Sequence, residues 1–274
     1  MSARMPVLFA GYALDLDGTV YLGDELLPGA AATVKGLRDA GARVVFVTNR
    51  PLDTAAHYAA KLTRLGIPTD ADDVVTAVDA LVLYLREHQA GRALLLIAED
   101  VVAERLADEG FALASSPERA EVVVVSFDRG FDYAKLHAAF RAVRENGAAI
   151  VATNPDPYCP TPDGGLPDCA AMLAALEACT GARAEAIVGK PSPHMARAFL
   201  DRLDVDPERA AVVGDRLATD VAMARTLGAT GILVLTGATS AAATVDAEIQ
   251  PDYVLSGIDR LLPATHRLPL GSPS

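Results

Sequence analysis

At 274 residues, with 51% hydrophobic and 22% charged residues, the chain has the length of two globular domains, or of one with a large insertion, and is too apolar to be disordered. Its net charge of −12, from 24 basic and 36 acidic residues, speaks against a nucleic-acid polymer as partner. Cys159, Cys169 and Cys179 are odd in number and lack C-x-x-C spacing, which indicates neither a disulfide framework nor a zinc site and fits a reducing cytoplasm.

No apolar run approaches the roughly 20 residues of a membrane helix. Near the start, the apolar stretch Pro6 to Leu14 is followed by Asp15 and Asp17, where a signal peptide would need small residues and a cleavage site. A soluble, unsecreted, cytoplasmic protein with no membrane partner is expected.

In chain order, β-rich apolar runs are predicted at 12–16, 43–47, 93–97, 121–126, 149–152, 186–188, 210–213 and 231–235. Helical patterns lie between them. Pro28 opens one that Gly41 ends, and Pro51 opens another that stops near Gly66. Asp132 precedes a third that ends at Asn146 and Gly147, and Ser192 with Pro193 opens a fourth that runs to Leu203. This alternation implies parallel sheets covered by helices. The tail from His266 to Ser274 has no periodicity and is expected to fray.

The first strand runs into DLDGT, so Asp15 and Asp17 project from one face while Leu16 points the other way. Two such carboxylates at the carboxyl edge of a parallel sheet repel unless a cation lies between them, and Mg²⁺ with hard oxygen ligands suits them. The second run ends in Thr48, Asn49 and Arg50 before a helix start, a hydroxyl, an amide and N–H groups suited to an anion. GKPSP then places Lys190 after a strand, and GDRLATD places Asp215 at a strand tip with Asp220 five residues on. Each piece alone has a plain reading as a turn, a helix cap or a surface lysine. Four strand ends offering carboxylates, then hydroxyl and amide, then ammonium, then carboxylates, imply phosphoryl transfer.

With the segments ALDLDGTVYLGDELLPGA, VFVTNR, ATNPDPYCPTPDG, VGKPSP and VVGDRLATDVAMARTLGA in this order, the chain resembles the haloacid dehalogenase superfamily. The closer likeness is to its NagD-like and 4-nitrophenyl phosphatase-like subgroup, subfamily IIA. The resemblance implies a doubly wound, Rossmann-like α/β core at residues 1–76 and 185–274, with an inserted α/β cap domain of C2 type at 77–184. It implies hydrolysis of a small-molecule phosphomonoester, with Asp15 as nucleophile, Asp17 as proton donor and Lys190 offsetting charge. Thr48, Asn49 and Lys190 would hold the phosphate. Asp15, the Asp17 backbone carbonyl and Asp215 would hold Mg²⁺, with Asp220 orienting that shell or Lys190. Asn154, Asp156 and Cys159 fall in the segment that resembles the substrate-specificity loop of this group. Cys159 stands where vitamin B6 phosphatase-like relatives have histidine, and it is read equally as an apolar space-filler. Arg50 replaces an asparagine common in relatives. Two readings stand for it, a contact to the phosphate or a second anionic group, and a solvent-facing arginine. The apolar helix around 170–176 is either core or the interface of a homodimer formed through the cap. A phosphotransferase or mutase on the same scaffold, and a non-catalytic phospholigand-binding module, are the alternatives.

Overall fold

The computed structural model describes residues 4–159 and 165–263. The expected fraying tail and residues 160–164 of the loop after Cys159 lie outside these. Tertiary contacts divide the chain into two compact α/β units. One comprises the chain up to Thr48, Ala55–Val75 and everything from Phe199 onward; the other comprises Asn49–Thr54 and Thr76–Ala198.

The first unit is built on a six-stranded sheet in the order Tyr253–Leu255, Thr230–Val234, Ala210–Gly214, Gly11–Asp15, Arg43–Thr48, Val74–Thr76. From the first of these through Arg43–Thr48 all pairings are parallel, with Leu14 beside Val213 and Asp15 beside Val47. The four central strands are selected by their predominantly apolar runs. Tyr12, Leu14, Phe46, Val213 and Ile232 are buried in one core with Leu37 and Leu62 from the covering helices Ala30–Asp39 and Ala55–Arg64. Burying each such side chain contributes about 1.5–3 kcal/mol. Two strands of this sheet escaped the sequence reading, Val74–Thr76 and Tyr253–Leu255. Each is three residues long, too short for a periodic signal.

Sheet order places Gly11–Asp15 at the point where the connectivity reverses. The chain leaves this strand toward Arg43–Thr48 on one side, and Ala210–Gly214 returns on the other. Open α/β sheets hold their ligands in the crevice at the carboxyl ends of such strands.

The second unit has a four-stranded parallel sheet in the order Ala186–Ile187, Ala149–Ala152, Val122–Val125, Leu94–Ile97. The run Val122–Val125 is buried at every residue, as expected of an inner strand covered on both faces. The helix Tyr133–Asn146 begins and ends where predicted. The Asp132 side chain accepts from Lys135 N–H, and Gly147 takes the left-handed conformation at φ 68°. On the helix Cys169–Thr180, Met172, Leu173 and Leu176 pack against Val123, Val125 and Ile150. These side chains belong to the core of this unit.

One placement corrects the sequence reading. The strand before Lys190 is only Ala186–Ile187, and it pairs with Ala149–Ala152 in the second sheet. Lys190 therefore does not follow a strand of the sheet that carries Asp15. Two strand residues bring too few ladder hydrogen bonds to show in sequence which sheet they join.

Candidate active site

Three of the predicted residues meet at the reversal point. Asp15 ends its strand, Asp215 follows the parallel neighbour Ala210–Gly214, and Asp220 lies in the wide π-type turn Leu217–Val221. Each offers a carboxylate oxygen, and these oxygens lie within 4.8 Å of one another. Asp215 and Asp220 are buried, and Asp15 is half-buried. The turn Leu217–Val221 precedes the helix Ala222–Leu227 and brings the Asp220 carboxylate back to Arg216 N–H at 3.2 Å.

The backbone around these carboxylates has no room for side chains. A Cβ on Gly214 would lie 2.1 Å from Asp220 Cγ, and one on Gly237 would lie 2.0 Å from Asp215 Oδ2. Gly18 turns the chain at φ 85°, and a Cβ there would lie 2.7 Å from Asp215 Oδ2. The glycine of DLDGT is thus required twice, for its backbone angle and for the approach of Asp215. Behind it, Gly18 N–H donates to the Tyr21 carbonyl at 2.8 Å, and the Thr236 hydroxyl donates to the Gly18 carbonyl at 2.6 Å. Asp17 is half-buried and bridges to Tyr21, while Leu16 between the two aspartates is fully buried, as the alternation predicts.

Supporting groups appear that sequence reasoning missed. Thr19 Oγ1 donates to Asp15 Oδ2 at 3.4 Å, and Ala238 N–H donates to Asp215 Oδ2 at 2.5 Å. The Thr-Gly pair at 236–237, just after the apolar run 231–235, was the available signal for the second. Thr48 is the last residue of its strand and is buried, so its hydroxyl stands at the same sheet edge as Asp15.

The next predicted group belongs to the second unit. Asn49, Asn154 and Lys190 are buried there, and Asp156, Arg50 and Cys159 are half-buried. Asn49 Nδ2 donates to Asp156 Oδ2 at 2.8 Å and to the Lys190 carbonyl at 3.2 Å, and Asn49 Oδ1 accepts from Lys190 N–H at 2.7 Å. Both amide hydrogens of Asn49 are thus committed within the protein, which changes the expectation that this amide donates to a phosphate. Asn154 Nδ2 donates to the Asn49 carbonyl at 3.2 Å. Cys159 lies in the short strand Tyr158–Cys159 of a hairpin with Leu166–Pro167.

The family model described as haloacid dehalogenase-like hydrolase matches residues 12–112, and a second, HAD-hydrolase-like model matches residues 187–261. The chain is 36% identical over 253 residues to the sugar-phosphatase AraL of Bacillus subtilis (strain 168), covering 92% of each chain. It superposes on the crystal structure of 4-nitrophenylphosphatase from Thermotoga maritima with a TM-score of 0.87 and 33% identity, covering 92% of this chain and 95% of that one. The glycerol phosphate phosphatase of Mycobacterium tuberculosis, in complex with magnesium, matches with a TM-score of 0.83 and 33% identity over 91% of this chain and 75% of its own. With Asp15, Asp215 and Asp220 converging where these folds bind ligands, the chain belongs to the haloacid dehalogenase-like hydrolases, as a phosphoric monoester hydrolase of their NagD-like branch.

Proposed function

We propose that the protein is a Mg²⁺-dependent phosphatase of small phosphomonoesters that works through an aspartyl-phosphate on Asp15. The observation that carries this is the convergence of Asp15, Asp215 and Asp220 within 4.8 Å. Three carboxylates so close resist joint ionisation without a cation, and an all-oxygen donor set suits Mg²⁺. Asp15, Asp215 and the Asp17 backbone carbonyl would hold the ion, with Asp220 orienting the site. When bound, the ion offsets the negative charge of the phosphate oxygens.

The chain's own residues carry the chemistry. An Asp15 carboxylate oxygen attacks phosphorus as the ester P–O bond breaks, and Asp17 gives its proton to the departing alcohol oxygen. Asp17 then takes a proton from the water that attacks phosphorus and releases Asp15. Thr48 contributes a hydroxyl to the phosphate, and Lys190 offsets its charge. Asn49 follows Thr48 directly; with its amide committed to Lys190, its backbone N–H is the group we assign to the phosphate.

We assign the inserted α/β segment 77–184 the role of a cap that excludes water and selects the leaving group. In the loop that resembles the substrate-specificity segment, Asn154 and Asp156 commit polar atoms to neighbouring protein groups, and Cys159 and Arg50 are the residues we assign to selectivity among sugar, glycerol, nucleotide and aryl phosphates. The protein works in the cytoplasm.

The test is phosphate release from a panel of such esters with Mg²⁺ or EDTA, for wild type and Asp15→Asn. Turnover that needs the metal and falls by at least about a thousandfold in the variant is expected for loss of a nucleophile. Binding of several esters without turnover of any would instead support a phospholigand-binding module, and product diverted to an added alcohol would mark a phosphotransferase.

A further inference from the structure

The loop residues of the second unit form a hydrogen-bonded chain that extends past any group the proposed chemistry uses. It ends at Asp168, just before the helix Cys169–Thr180, and Asp168 is only 4% exposed. Asp168 Oδ1 accepts from Cys169 N–H at 2.6 Å and from Asn154 Nδ2 at 3.4 Å. Asn154, fully buried, also donates to the Asn49 carbonyl at 3.2 Å and accepts from Asp156 N–H at 2.9 Å. Asp156 in turn accepts from the Asn49 amide at 2.8 Å, and that amide clasps the backbone of Lys190 on both sides, donating to its carbonyl and accepting from its N–H.

We infer that Asp168 is a positioning residue for Lys190, acting through Asn154 and Asn49, and that Asn154 and Asp156 serve this relay and do not contact the leaving group. The relay rests on the reading of Lys190 as a phosphate-holding group. Its physical basis is that each member spends its polar atoms on the next. Asn154 has two amide hydrogens, one on Asn49 and one on Asp168, and its oxygen holds the loop at Asp156. At the buried members Asn49, Asn154, Asp168 and Lys190 no solvent replaces a lost partner, so the removal of one link leaves its neighbour unsatisfied. A helix cap alone does not call for a buried carboxylate, since serine or asparagine caps as well. Burial, together with the Asp156 charge, pushes the Asp168 carboxyl up to about 6 despite the Cys169 N–H and the nearby Arg50 guanidinium.

The experiment measures the competitive inhibition constant of inorganic phosphate and kcat/KM for 4-nitrophenyl phosphate and glycerol phosphate, on the full chain with Mg²⁺. Asp168→Ala is expected to weaken phosphate inhibition on the order of tenfold, as for loss of one charged hydrogen bond, and to lower kcat/KM by the same factor for both esters. Asp168→Asn, which keeps the acceptor, restores most of this. Asp168→Ala combined with Asn49→Ala is expected to be no worse than Asn49→Ala alone, because both act on one link. A loss that differs between the esters, or an additive double variant, overturns the relay. If Asp168→Ala does not fold, Asn154→Ala reads the next link by the same criteria. Lys190→Ala separates the two levels of the reading. Unchanged phosphate inhibition in that variant defeats the assignment of Lys190, whereas weakened inhibition there with none in Asp168→Ala defeats the relay alone.

Discussion

Asp168 makes a prediction about stability that is independent of catalysis. Its carboxyl titrates at 3.8 in an ordinary setting and at about 6 in the folded protein, chiefly because burial disfavours the charged form. Between these values the folded state binds more protons than the unfolded one, so stability falls as pH rises. The contribution is neutral below about pH 4 and reaches its full cost just above pH 6. At about 1.4 kcal/mol per unit of difference, that cost is about 3 kcal/mol at neutral pH. Asp168→Asn removes the ionisation while keeping an oxygen for Cys169 N–H and Asn154. The charged groups facing it, Asp156 and Arg50, are unchanged in the variant. Urea unfolding of both proteins from about pH 4 to about pH 8 should show the variant gaining on wild type by about 3 kcal/mol across the window, with no gain at its acid end. A difference independent of pH, or one that grows toward acid, would refute the assignment of a buried, costly carboxylate.

The remaining predictions concern the metal, the arginine and the thiols. Gly237→Ala would place a methyl 2.0 Å from Asp215 Oδ2, and the displaced carboxylate would lose the Ala238 N–H. Loss of one charge-assisted hydrogen bond, about 1.5–3 kcal/mol, should raise the Mg²⁺ concentration for half-maximal activity on the order of tenfold or more, and an unchanged metal titration would falsify the proposed ligand set. Arg50→Ala should raise KM more for an ester bearing a second anionic group than for 4-nitrophenyl phosphate; equal increases would leave Arg50 to its electrostatic role beside Asp168. Cys179 is exposed, Cys159 half-buried and Cys169 buried with its thiol pushed up to about 11, mainly by desolvation. A disulfide reagent such as dithionitrobenzoate should therefore modify Cys179 first and Cys169 only on unfolding, and rapid loss of Cys169 in the native protein would contradict its burial.

Sequence by itself determined the alternation of strands and helices, because apolar runs of four or more residues and capping residues such as Asp132 and Gly147 are local signals. It also pointed to Asp15, Asp215 and Asp220, whose carboxylates the fold brings within 4.8 Å of one another. The strand itself ends at Asp15, and Leu16 just beyond it is buried. The allegiance of Ala186–Ile187 was decided only in three dimensions, since two residues carry no periodicity and their partner strand lies more than thirty residues earlier. The hydrogen-bond partners of Asn49, Asn154 and Asp156 were likewise illegible in one dimension. Whether an amide faces a ligand or a neighbouring backbone depends on which groups the fold brings within 3 Å, and the bond from Asn49 to Lys190 spans 141 positions. Asp168 carried no motif at all. A buried carboxylate and an exposed helix cap have the same letter, and only packing around the start of Cys169–Thr180 tells them apart.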